Sequence, residues 1–265
     1  ATRNWFVALT PSAPPDPDDP DIPEGAIGIS TIEQLQLIGN DPAYPLDGYY
    51  VLTQDIDASN TVTWDDGKGF GPIGSPVSPF TGTLDGLGYA IENLYINRTG
   101  VIVGHYIGLV GFNQGIIKNT SVTGAVVGTA GVGGLCGWNA GTITASGTDV
   151  TVTSAGNQAG GLCGLNVGII SQCKAAGSVI GIDQVGGLIG NHNSGGTIGA
   201  NILVMDSYAT GAVTGDNIVG GLVGVVEDGD TVTNCYATGA VTGTSSVGGL
   251  VGYNFGGTVT ASYYD

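Results

Sequence analysis

The sequence is short of several things, and each shortage closes off a class of function. Positive charge is the scarcest: Lys and Arg total 5 against 22 Asp and Glu, for a formal net charge of −17. A field of that sign repels nucleic acid and anionic lipid, so neither is expected as a partner. Long apolar runs are missing too. Gly, Thr and Asn interrupt every hydrophobic stretch, and no run of about 18 apolar residues marks a membrane span. The chain starts at Ala1 without Met or a hydrophobic leader, a start that fits a processed mature chain and equally a recombinant one. A secreted chain uses its acidity to stay soluble at high local concentration.

Catalytic constellations are equally thin. The four cysteines are an even number, which permits disulfides, but no C-x-x-C pair signals zinc or redox chemistry. Neither G-x-S-x-G nor H-E-x-x-H occurs, and His105 and His192 have no His or Cys at ligand spacing. A polysaccharide lyase needs clustered carboxylates and a basic residue beside them, yet Arg3, Lys68, Arg98, Lys118 and Lys174 are scattered. A hydrolase needs paired carboxylates. The pairs Asp55/Asp57 and Asp65/Asp66 read as solvated or turn acids. The expectation is a chain without enzymatic activity, metal or cofactor.

What the chain does have is glycine, 50 residues of it, and the glycine is periodic. The block G-L-x-G is centred on Leu109, Leu135, Leu162, Leu188, Leu222 and Leu250, at intervals of 26, 27, 26, 34 and 28 residues. That period means stacked units that each pack only on their neighbours. The glycines are expected to mark turns. After each block comes a turn such as Asn113-Gln114-Gly115, Asn139-Ala140-Gly141, Asn166-Val167-Gly168 or Asn254-Phe255-Gly256, then a Thr-rich or apolar strand, then Ala-Val-Thr-Gly. Runs of three to five β-branched residues between glycines cannot make helices. About 26 residues fit one coil of a right-handed parallel β-helix (β-solenoid) with roughly three short strands per turn, neighbouring coils lying about 4.8 Å apart.

Three zones follow. Residues 1–24 form an extended proline-rich arm, with an apolar strand Trp5-Phe6-Val7-Ala8-Leu9 and an acidic run containing Asp16, Asp18, Asp19 and Asp21. Residues 25–106 supply the cap and first coils, including a short helix with Ser30 as N-cap, Glu33 as its partner, and Leu35 and Ile38 on the apolar face. Residues 107–265 are the repeats.

Gly248–Tyr263 and Gly220–Gly239 resemble the GLUG motif, written G-G-L-V-G-x-N-x-G-G-x-I/V-x-x-S/C-Y-A-T-G. The resemblance extends over about residues 26–265. It implies the solenoid fold and a place among bacterial surface proteins, namely adhesins and IgA-peptidase-type surface proteins. It does not carry over a peptidase activity, because no catalytic motif is present. The turn Val226-Glu227-Asp228-Gly229 departs from Asn-x-Gly, and residues 199–204 are an insertion.

The leucine column is expected to be a stacked core ladder and the Asn column a ladder of turns. Cys136 and Cys163 are equivalent positions in successive coils, so either a disulfide or two small core residues fits them. Cys173 and Cys235 are separated by the coil carrying Ser207 and should not be bonded. Tyr208, Tyr236 and Tyr263 align as a possible platform for sugar rings or for another subunit. Thr142/Thr144, Thr231/Thr233 and Thr258/Thr260 would suit an ice-binding face, but Ile116-Ile117-Lys118 and Ile169-Ile170-Ser171 break the column.

The expected function is therefore structural: an extracellular or cell-surface subunit that polymerises with itself, head to tail, through its arm. An adhesin stalk or module that binds glycans or neighbouring cell surfaces is the alternative. A polysaccharide-degrading enzyme comes third.

Overall fold

The computed structural model describes residues 22–100, 106–193 and 202–265. They form a parallel β-solenoid with one α-helix, Ile32–Leu37, and two short 3-10 segments. The strands stack into four sheets of nine, eleven, five and six strands, denoted I, II, III and IV in the order the chain visits them. One coil shows the plan. Thr142–Thr144 lies in sheet I, Gly147–Ser154 in II, Asn157–Gly160 in III and Cys163–Asn166 in IV. Ile169–Ser171 then returns to sheet I, with Ile143 opposite Ile170. Each turn thus visits four sheets where three strands were expected, because the Gly-Gly-Leu block turns the chain between sheets III and IV, and in later coils sheet II takes two strands, as at Lys174–Ala175 and Val179–Ile180.

Sheet I is built on strand triplets with a β-branched or aliphatic centre. Ile117, Ile143, Ile170, Val204 and Val232 stack in register and are completely buried. Their flanking neighbours point outward, as period-two alternation requires. Each triplet ends at a corner residue in left-handed conformation: Asn119, Ala145, Gln172, Asp206, Asn234 and Ala261, with φ between 48° and 55°. Next comes a small hydroxyl or thiol that donates back two residues, as in Thr120 to Lys118 O (2.8 Å), Ser146 to Thr144 O (2.8 Å) and Ser207 to Met205 O (2.7 Å). The same oxygens accept a backbone N–H from the preceding coil, Thr120 N to Ser146 Oγ at 3.2 Å and Cys173 N to Ser207 Oγ at 3.0 Å. Cys173 and Cys235 occupy this column and do what serine does elsewhere in it. Their Sγ atoms donate to Ser171 O and Thr233 O, both at 3.1 Å.

The glycines are not mainly turn residues. Most of the repeat glycines have ordinary φ and stand where a side chain would collide with backbone. A Cβ on Gly133, Gly160, Gly186, Gly220 or Gly248 would lie 1.9–2.1 Å from a carbonyl oxygen of its own coil. On Gly161, Gly187 or Gly221 it would lie 1.9–2.3 Å from an oxygen of the next coil. On Gly137, Gly164 or Gly190 it would lie 2.5–2.6 Å from backbone of sheet III in the coil before. These three columns are the glycines of G-G-L-x-G, so the motif is the imprint of two backbones in contact.

At the start of the stack, the helix begins one residue later than expected. Thr31, not Ser30, is the N-cap: its Oγ1 accepts from Gln34 N at 3.2 Å, while Gln34 Oε1 accepts from Ser30 N at 2.8 Å. Gln34 therefore takes the reciprocal role expected of Glu33. Ile32, Leu35 and Ile38 enter the same core as Tyr50, Phe70 and Phe80. Arg98 is buried in this region, where its guanidinium donates to Asp65 Oδ2 (2.9 Å), Gly69 O (3.0 Å) and Phe70 O (3.2 Å).

Candidate functional site

Trp5, Phe6, Val7, Ala8 and Leu9 lie outside the described residues, as does His105. The remaining candidates fall on four columns and one end of the stack.

Leu109, Leu135, Leu162, Leu188 and Leu222 are completely buried, and Leu250 is partly covered. Successive coils are tied here by Leu135 N to Leu162 O, Leu162 N to Leu188 O, Leu188 N to Leu222 O and Leu222 N to Leu250 O, at 2.8–3.0 Å.

The Asn column is a continuous buried amide ladder. Asn113 Nδ2 donates to Asn139 Oδ1 and Asn139 Nδ2 to Asn166 Oδ1, both at 2.7 Å. Each Oδ1 also accepts the N–H of the glycine two residues on, Gly115, Gly141 or Gly168. The ladder ends at His192, which sequence reasoning placed only as a structural or exposed residue. Asn166 Nδ2 lies 3.1 Å from His192 Nδ1. An amide nitrogen can only donate, so Nδ1 accepts and the proton sits on Nε2. Burial pulls the pKa of His192 down to about 4, against a smaller upward pull from backbone groups at Thr231 and Asn166. The signal was present in the sequence: Gly190-Asn191-His192 aligns with Gly137-Trp138-Asn139. In the next coil the position is Val226, buried in an extended strand, and Asn254 beyond it is exposed.

Cys136 and Cys163 are register neighbours but free, buried thiols, not a disulfide. Their Sγ atoms donate to Trp138 O at 3.1 Å and Leu165 O at 3.2 Å, in a column otherwise filled by Val110, Ile189, Val223 and Val251. Burial, with Cys163 alongside, pushes the Cys136 thiol well above its usual pKa, and burial raises Cys173 to about 12 and Cys235 to about 11. None of these three is a reactive thiolate.

Tyr208, Tyr236 and Tyr263 stack face to face on sheet II, with ring centroids 4.8 and 5.6 Å apart and interplanar angles of 2° and 13°. Lys174 is the register neighbour of Tyr208 on the other side. The rings therefore cover each other's faces and offer hydroxyl edges to solvent. A sugar stacks on a face; the two faces unmatched by another ring of the column are that of Tyr208 toward Lys174 and the outer one of Tyr263.

Asp55 and Asp57 hold neighbouring backbone and side-chain donors. Asp55 Oδ1 accepts from Ala90 N at 2.8 Å, and Asp57 accepts from Ser59 N at 2.9 Å and Asn93 Nδ2 at 3.2 Å. The Ser59 backbone bond, then the Asn93 and Ser59 side chains, hold the Asp57 pKa below the usual range. Among the described residues, no three His, Cys, Asp or Glu side chains gather to hold a metal ion, and no helix is long and apolar enough to cross a membrane.

In the last described coil the columns are less covered than in the inner ones. Val219 is fully buried and Val225 is 5% exposed, but their counterparts Val247 and Tyr253 are 46% and 47% exposed. Phe255 is 63% exposed and stacks on Tyr253 with centroids 6.3 Å apart. Tyr264 stands in the inward column held elsewhere by Ala175, Ala209 and Ala237, and its ring lies across Gly249.

Comparison with known proteins agrees with this anatomy. Residues 215–242 match the GLUG motif, so the chain carries that repeat. It is 38% identical over 169 residues to halomucin of Haloquadratum walsbyi, a match covering 63% of this chain and 2% of halomucin. It is 38% identical over 119 residues to a protein of Evansella cellulosilytica named as a Gly-rich membrane protein, covering 42% of this chain and 13% of that one. The chain thus spans only a small part of either relative. Its fold is that of a Bacteroides ovatus protein provisionally named an immunoglobulin A1 protease, with a TM-score of 0.60, 20% identity, and coverage of 88% of this chain and 84% of that one.

Proposed function

We propose that this chain is a non-enzymatic structural protein of the cell surface or extracellular space that builds a filament by head-to-tail association of copies. The observation that carries the reading is the repeat architecture, four parallel sheets stacked coil on coil along one axis. Unpaired strand edges recruit further strands. The arm offers one: Trp5–Leu9 is apolar, sits on a tether containing Pro11, Pro14, Pro15, Pro17, Pro20 and Pro23, and has no repeat of its own. A contact between unlike surfaces that does not close on itself propagates a fibre. That no three His, Cys, Asp or Glu side chains gather to hold a metal among the described residues supports the non-enzymatic part, as do the names of the two relatives.

Electron microscopy of material released from producing cells tests this, together with a variant lacking residues 1–22. The expected result is filaments with this chain as sole subunit, and a folded, non-polymerising solenoid after the truncation. Filaments that persist without the arm would overturn the arm's role.

A second reading is supported by the small share of either relative that the chain covers. In it the solenoid is a stalk or ligand-binding module of a larger surface protein, and the next coil of that protein continues the stack. Glycan capture by Tyr208, Tyr236 and Tyr263 belongs to this reading, limited to the two outer faces of the ring stack and the phenol edges. The intact mass of the chain in cell-surface material separates the two.

A further inference from the structure

Two segments of the chain read Asn-x-Ser/Thr: Asn97-Arg98-Thr99 and Asn119-Thr120-Ser121. In a protein of the cell surface that triplet is the acceptor pattern for a glycan on the asparagine amide. The fold treats the two in opposite ways. We propose that Asn97 is an N-glycosylation site and that Asn119 is a silent copy of the pattern, withheld by its place in the stack. This rests on the cell-surface reading and adds a covalent modification to it.

Asn97 ends the strand Ala90–Asn97 of sheet II, in register with Val127 of the next coil. Backbone bonds hold the segment on both sides, Asn97 N to Lys68 O at 2.9 Å and Arg98 N to Val127 O at 2.8 Å. None of Asn97, Arg98 and Thr99 is left-handed, and Gly100, with φ 81°, turns the chain away after them. Side chains of an extended segment alternate in direction. Arg98 points inward, where Asp65, Gly69 O and Phe70 O fix it. Asn97 and Thr99 therefore share the outer side, the first half-buried and the second exposed. There Thr99 Oγ1 donates to Asn97 Oδ1 at 3.4 Å. Asn97 Nδ2 donates to Tyr95 Oη at 3.2 Å. That bond uses one of the two amide hydrogens and leaves the other to be replaced by a sugar. The two residues that define the pattern are thus presented together, and the residue between them anchors the segment.

Asn119 has none of this freedom. It is the left-handed corner between sheets I and II, with φ 50°, so it does not share a strand face with Ser121. Its Nδ2 donates to Asp85 Oδ1 at 2.9 Å, on a carboxylate that is 4% exposed and also pairs with Lys118. Its backbone closes on the coils to either side. Asn119 N donates to Thr144 O at 3.2 Å, and a Cβ on Gly86 would lie 2.2 Å from Asn119 O. Thr120 is completely buried, its hydroxyl turned back on Lys118 O. A sugar on this amide would displace the contact with Asp85 and open the corner. At Asn97 the transfer needs no such change. The donor is a glycan carried on a polyprenyl phosphate. The bond from Asn97 Nδ2 to the sugar C1 forms as the bond from C1 to the phosphate oxygen breaks. That electron pair leaves with the phosphate, the amide proton goes to a base of the transferase, and nothing is oxidised or reduced.

Peptide mass spectrometry of the chain recovered from the surface of producing cells tests this. The peptide holding Asn97 is expected to carry a mass increment of whole sugar units, and the peptide holding Asn119 none. Asn97→Gln and Thr99→Ala should each abolish the increment. Thr99→Ser should keep it, and Asn119→Gln should leave it unchanged. Thr99→Ala is the informative variant, because Thr99 is exposed and its loss leaves the Asn97 amide in place. Its melting temperature, measured beside that of Asn97→Gln, shows that the lost increment is not a lost fold. Bare Asn97 in the surface chain, an increment that survives Thr99→Ala, or sugar on Asn119 as often as on Asn97 would overturn the proposal. A chain found only inside the cells would refute the cell-surface reading, and the proposal with it.

Discussion

Glycine at the three fixed positions of the repeat is a steric requirement, and it separates from glycine's other use in this chain. Gly187 has ordinary φ, but a Cβ there would lie 2.1 Å from Gly221 O and 2.9 Å from Ala209 Cβ. Gly229 has φ +86° and open space around it. Gly187→Ala must push two coils apart and is expected to cost about 3 kcal/mol or more, as overpacking does. Gly229→Ala is expected to cost about 1 kcal/mol, from left-handed strain alone. Urea unfolding midpoints of the two variants check this, and equal losses would refute the distinction. His192 gives a second residue-scale test. Its pKa is near 4 when folded and about 6.5 when unfolded. The unfolded chain therefore binds the extra proton between those values, so stability is full above pH 6.5 and is lost as pH falls toward 4, by about 3 kcal/mol in all. His192→Asn continues the amide ladder and is expected to remove that step from the pH dependence. An unchanged pH profile in the variant would show that the imidazole is not buried neutral.

At the scale of the element, the corner between sheets I and II repeats a left-handed residue that the sequence fills unevenly. Asn119 and Asn234 donate to the preceding coil, to Asp85 Oδ1 at 2.9 Å and Asp206 Oδ1 at 3.2 Å, and Asn tolerates this backbone. Ala145 does not, with φ 48°. Ala145→Asn is expected to stabilise by roughly 0.5–1 kcal/mol, read as a raised melting temperature; a fall would mean that the corner is not strained. Leu162 tests the reversal between sheets III and IV. Leu162→Asp puts a carboxylate where the backbone bonds of two neighbouring coils converge, at an expected cost of several kcal/mol. Wild-type thermal stability would contradict its burial. The period, the leucine column and the inward triplet centres were legible in the sequence because stacking repeats one environment every coil. The reversal was not, since a glycine that avoids a neighbouring backbone is written with the same letter as one that turns. His192 was missed because it replaces Asn in a ladder where only an acceptor is needed at the end. Cys173 and Cys235 were missed as hydroxyl substitutes for the same reason: the column fixes the bond, not the residue type.

Across the whole molecule the dominant unspent force is charge. Against 22 acidic residues stand 5 basic ones. The ion pairs of the described residues, Lys68–Asp65, Arg98–Asp65 and Lys118–Asp85, all lie before the second repeat. Beyond them, Asp149, Asp183, Asp206, Asp216 and Glu227 are carried on strands and corners stacked about 4.8 Å apart per coil. Repulsion therefore accumulates along the axis and acts against both the folded stack and any end-to-end contact. Salt screens it: the Debye length falls from about 30 Å at 0.01 M to about 3 Å at 1 M, from most of the stack to less than one coil spacing. The glycine-rich backbone contacts and the apolar core carry no charge and are strengthened, if anything, by excluded salts. The melting temperature is thus expected to rise steadily with sodium chloride between these limits, with most of the gain below 0.2 M, where the Debye length drops under about 8 Å. Assembly should shift in the same direction, since joining two copies brings two acidic bodies and an acidic tether together. A melting temperature that is flat or falls with salt would show that the acids are neutralised in the folded chain and that the stack is held against no net repulsion.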